Sequence, residues 1–67
     1  MSSVGEDMPR LMDHIRETIL PEYDAIPEGV FAATIIRGKL KAATEALASG
    51  DTLQILAAYG QLKDIKL

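Results

Sequence analysis

The stretch VFAATIIRGKLKAATEALASGD, Val30 to Asp51, restricts the fold more than any other feature. Within it Ala33, Ile36, Leu40, Ala43 and Leu47 recur at alternating steps of three and four, the a/d pattern of a heptad seam. A second apolar line runs through Phe31, Ile35, Gly38, Ala42 and Ala46. Together the two lines cover more than half of a helical wheel, and a helix apolar nearly all round is normally covered nearly all round. Ser49-Gly50 ends this helix, because glycine accepts the left-handed conformation past a helix C-terminus. Asp51 then caps the next helix, with Gln54 three residues on as in a capping box. A link this short between two helices makes an antiparallel hairpin.

The second helix of that hairpin, about Thr52 to Asp64, repeats the doubled pattern. Ile55, Ala58, Leu62 and Ile65 form one line, and Leu53, Leu56, Ala57 and Gly60 another. Upstream, Met8, Leu11, Met12, Ile15 and Ile19 lie at helical spacing, away from Arg10, Asp13, Arg16 and Glu17. Asp7 is the expected N-cap of this first helix, with Pro9 in its first turn. Pro21 is expected to stop or kink it. PEYDAIP, Pro21 to Pro27, is then a stiff connector pinned to the core by Tyr23 and Ile26. Pro27 suits the first position of the long helix, and Glu28 complements its positive end. No stretch alternates with period two. The expected fold is all-α: a helix, a connector and a long helix–turn–helix hairpin in a single domain over residues 1–67, with 1–6 disordered.

A 67-residue chain buries only about 60% of its unfolded surface and is marginal alone. Disulfides, a structural metal or a partner subunit usually make up the difference. There is no cysteine, which removes the first. The single histidine, His14, has Glu17 three residues on but no second histidine to complete a metal site, so no metal or other cofactor is expected. A partner subunit remains. The expected homodimer interface is the seam Ala33, Ile36, Leu40, Ala43 and Leu47, with Gly38 and Ala42 allowing close approach. A two-fold dimer sets such a patch against its own copy.

Charge is uneven under a net of −3. Residues 1–28 carry seven acids against Arg10 and Arg16, net −5, while 29–67 carry five bases against three acids, net +2. The acidic third is either a set of solvated faces or docks on the basic remainder. Neither half has the basic density of a nucleic-acid footprint. The helix starting DTLQILAAY carries no cation to meet phosphates and only Gln54 as a base reader, so DNA contact is not expected. The polar face of the first helix is acidic, unlike a membrane-surface helix. The longest apolar-rich run, Val30 to Ile36, falls far short of the ~20 residues of a membrane span. The N-terminus lacks the basic-then-apolar plan of a signal peptide. A cytoplasmic protein is expected. Scattered serines and glycines form no catalytic or phosphate-cradling arrangement, and no enzyme activity is expected.

In organisation the chain resembles small helical accessory proteins of bacteriophages and mobile elements. The stretch LPEYDAIPEGVFAATIIRGKLKAA, Leu20 to Ala43, roughly a third of the chain, resembles early-region proteins of Mu-like phages, a group that includes quorum-sensing anti-activators. That resemblance implies a helical dimer bound to a host protein, a transcription regulator or a motility ATPase. It carries no functional residues over. From residue type alone Arg10, Arg16, Tyr23 and Tyr59 are the candidate partner contacts, since Arg and Tyr are enriched at binding hot spots. The reading from sequence is therefore an interaction module that inhibits or redirects a host protein. The alternative is a small transcriptional regulator or antitoxin-like protein that touches DNA or a toxin.

Overall fold

The computed structural model describes residues 4–65, and among them there is no strand. The first arm, residues 4–24, is one continuous helical rod in three parts. Helix α1 is Val4–His14. A π-helical segment, Ile15–Ile19, follows. Helix α2 is Leu20–Asp24. A 3-10 turn, Pro27–Gly29, leads into α3, Val30–Ser49. Helix α4 is Thr52–Lys63 and runs back along α3. The first arm lies across this hairpin, with α1 against α4 and α2 against α3.

Two expectations about the first arm are corrected. Its helix begins at Val4, so Asp7 is not the cap and Pro9 lies inside the helix, past its first turn. Asp7 and Glu6 lie in the first turn, where carboxylates still complement the unpaired N–H groups. The expected fraying of 1–6 falls in part on residues 1–3, which lie outside the described residues. Nor does Pro21 stop the helix. The Leu20 N–H donates to the carbonyl of Ile15, five residues back, so the chain is wound wider just before the proline. A proline in a regular α-helix clashes with the carbonyl four residues earlier. The wider π turn opens room for the ring, and the rod continues to Asp24.

The connector is correspondingly shorter, and Pro27 opens the 3-10 turn rather than the long helix. Tyr23 is half-buried against the core as expected, but Ile26 faces solvent. The turn depends on Gly29. A Cβ there would overlap the backbone carbonyl of Tyr23 and lie 3.0 Å from Ile26 Cγ1. The Gly29 N–H donates to the Ile26 carbonyl at 3.0 Å.

The hairpin forms as read. Gly50 takes φ 70°, ψ 7°, the left-handed conformation, and its N–H donates to the Leu47 carbonyl. Asp51 caps α4, accepting from the N–H of Leu53 at 2.9 Å and of Gln54 at 3.3 Å. The return half of the capping box differs. The Asp51 N–H donates to Ser49 Oγ at 3.1 Å, and that hydroxyl donates to the Ala46 carbonyl at 2.7 Å.

The core is built from one stripe of each helix. Met8, Met12, Ile15, Ile19 and Leu20 of the first arm meet Ala33, Ile36, Leu40 and Ala43 of α3 and Leu62 of α4. Leu47, Ile55, Ala58, Tyr59 and Ile65 pack half-buried at its edge. No polar side chain is buried among the described residues. The seam expected to face a second copy is thus engaged within the chain, because the first arm crosses the hairpin on that side. Among the described residues, the acidic third meets the basic remainder where Arg37 Nη2 donates to Asp24 Oδ2.

Candidate interaction surface

The opposite side of the hairpin carries the second apolar line of each helix. On a 100° wheel, Phe31, Ile35, Gly38 and Ala42 of α3 and Leu53, Leu56, Ala57 and Gly60 of α4 all point away from the first arm. All eight are exposed. Between the helices runs a shallow groove lined by Ala42, Ala46, Ala57 and Ala58 and edged by Glu45, Gln54 and Gln61. Its lining sets residues 42–46 of α3 level with 54–61 of α4.

Among the described residues, six large apolar side chains stand in solvent: Leu53 (79%), Phe31 (77%), Val30 (60%), Leu56 (49%), Ile26 (48%) and Ile35 (44%). Leu53, Leu56, Phe31 and Ile35 belong to the outer hairpin face. Ile26 and Val30, with Phe31, form a corner where the 3-10 turn enters α3. Charged side chains lie at the rim. Lys41 and Glu45 are exposed on α3 and make no ion pair among the described residues.

Of the expected interface residues, only Gly38 and Ala42 are on this outer face. Ala33, Ile36, Leu40 and Ala43 are core, and Leu47 is half-buried at its edge. The expected partner contacts are dispersed. Arg10 and Arg16 are exposed on the first arm, with Arg16 Nη1 3.7 Å from Asp13 Oδ1. Arg10 and Tyr23 are roughly 20 Å apart along the rod. Tyr59 is half-buried, with Lys63 Nζ 5.5 Å from its ring centre. The sequence signal for the outer face is the second apolar line on each wheel.

Elsewhere the described residues offer little chemistry. No group of three or more histidine and carboxylate side chains among them is placed to hold a metal ion. His14 lies at the edge of a second shallow groove, with Leu11, Thr18, Ile19, Leu62, Lys63 and Ile65. Among the described residues no helix is long and apolar enough to cross a membrane. In comparisons with known proteins, no family model, no curated protein and no solved structure matches the chain.

Proposed function

We propose that this chain is a non-enzymatic protein-interaction module: a homodimeric helical bundle that works in the cytoplasm by binding another protein and inhibiting or redirecting it. Small phage and mobile-element accessory proteins, the class the sequence resembles, act on host regulators in this way. One observation carries the reading, the six large apolar side chains left in solvent among the described residues. Apolar area exposed to water forgoes about 25 cal/mol per Å². Contiguous exposed apolar surface is a feature of binding sites more than of isolated monomers. Here it is grouped on one hairpin face and one adjoining corner, not scattered singly.

The test compares the wild-type chain with a Val30→Ser/Phe31→Ser variant. Both side chains are exposed, so the variant leaves the core intact. Each is immobilised against lysate of a bacterial host, and captured proteins are identified by mass spectrometry and reconstituted from pure components. A protein bound stoichiometrically by the wild type and lost from the variant supports the reading. Equal capture by both, or nothing reconstituted with either, sinks it.

A further inference from the structure

The outer hairpin face specifies its own occupant. We propose that it takes a second copy of this chain in an antiparallel two-fold arrangement, α3 on α3 and α4 on α4, with the axis crossing level with residue 43 of α3 and residue 58 of α4. This rests on the homodimeric reading above and assigns the surface and register of the pair.

Two pairs of residues, on different helices, require the same axis. Across a two-fold perpendicular to the helices, residues equally far from the axis on either side come opposite one another. On α4, Leu56 and Gly60 are equally spaced about residue 58. Each exposed Leu56 therefore lies over the other copy's Gly60, where a Cβ would meet nothing within 4 Å. On α3, Lys41 and Glu45 are equally spaced about residue 43, so each exposed lysine meets the other copy's glutamate, twice over. Residues 43 and 58 are level across the hairpin. Each lies six residues from the turn, counted from Ser49 and from Thr52, in keeping with the groove lining. Exposed Ala42 lies between these contacts and lets the α3 backbones approach. Moving the axis to residue 41 or to residue 45 would set lysine on lysine or glutamate on glutamate, which complementarity disfavours.

The overlap is partial. Phe31 lies twelve residues from the axis, about 18 Å, whereas the partner's hairpin turn lies only about 10 Å from it. The corner of Ile26, Val30 and Phe31 therefore stays uncovered in the pair and free for a different protein.

The test is a mixing experiment in analytical ultracentrifugation from about 1 to 100 μM, with circular dichroism as the fold control. Lys41→Glu alone sets glutamate on glutamate across the axis, and Glu45→Lys alone sets lysine on lysine. Each is expected to weaken dimerisation about tenfold. An equimolar mixture restores opposite charges at both contacts and is expected to recover dimer to within about twofold of wild type. Within each chain the helix still carries like charges at 41 and 45, so only a contact between chains produces that recovery. Leu56→Asp, at a position exposed in the single chain, is expected to give a helical monomer. A wild type that stays monomeric to the top of the range overturns the proposal, and the capture experiment with the corner variant still judges the interaction reading. A wild-type dimer that neither Leu56→Asp nor charge mixing alters overturns this face while leaving self-association intact.

Discussion

At the scale of single residues, the positions that decide the fold are small ones. Gly50 was legible in the sequence because its role is local: a helix followed by Ser-Gly-Asp needs a left-handed residue, and the structure has one. Gly29 was not legible. Its constraint comes from the Tyr23 carbonyl, brought over it by the turn through Ala25 and Ile26, and no periodicity marks that approach. The two positions also differ in what a methyl group would meet. At Gly29 the added carbon overlaps backbone, which cannot rotate away as a side chain can. At Gly38, inside α3, it meets nothing within 4 Å. Gly29→Ala is expected to lower unfolding stability by about 3 kcal/mol or more, in the upper range for single substitutions. Gly38→Ala is expected to raise it by up to ~1 kcal/mol through helix propensity. Urea midpoints at matched concentration check both, and equal effects of the two would show that the turn yields.

At the scale of elements, the first arm shows where rule-based reading stops. Pro21 is expected to stop or kink the helix because proline disrupts regular α-helix, and the rod passes through it by widening one turn. The signal was present in Leu20. With α winding, Leu20 lies about 140° round the helix from Ile15 and off the buried stripe. The π segment turns less per residue and brings both Ile19 and Leu20 into the core. A wider turn accommodates one extra residue, so removing one residue should restore α winding. Deleting exposed Thr18 from the wild type then sets Pro21 against a regular helical carbonyl, and a loss of about 3 kcal/mol is expected. The same deletion in a Pro21→Ala background is expected to cost less than ~1 kcal/mol, because the side chains beyond it return to the same face. Denaturant titration of the four chains gives the coupling directly. Equal losses in both backgrounds would mean that the π turn and the proline are unrelated.

At the scale of the whole molecule, the sequence announced two apolar lines on each hairpin helix but not which neighbour would cover them. A wheel fixes the angle between stripes. It does not say on which side a third helix will lie. The first arm lies on the Ala33–Ile36–Leu40–Ala43 side, so the surplus apolar surface expected from the doubled lines sits on the other line, at Phe31, Ile35, Leu53 and Leu56. Stability is then tied to what covers that line. The core rests on one stripe per helix, with Met8, Ile15 and Leu62 as its largest fully enclosed side chains. If a second copy supplies the missing cover, folding and association are linked, and the thermal midpoint must depend on protein concentration. For a chain that is dimeric when folded and monomeric when unfolded, a hundredfold rise in concentration stabilises each chain by about 1.4 kcal/mol, which at this size shifts the midpoint by roughly 5–10 °C. Leu56→Asp removes the association and should flatten that dependence while retaining helical signal at low temperature. A wild-type midpoint that is constant across the range would show that the single chain stands on its three-stripe core alone.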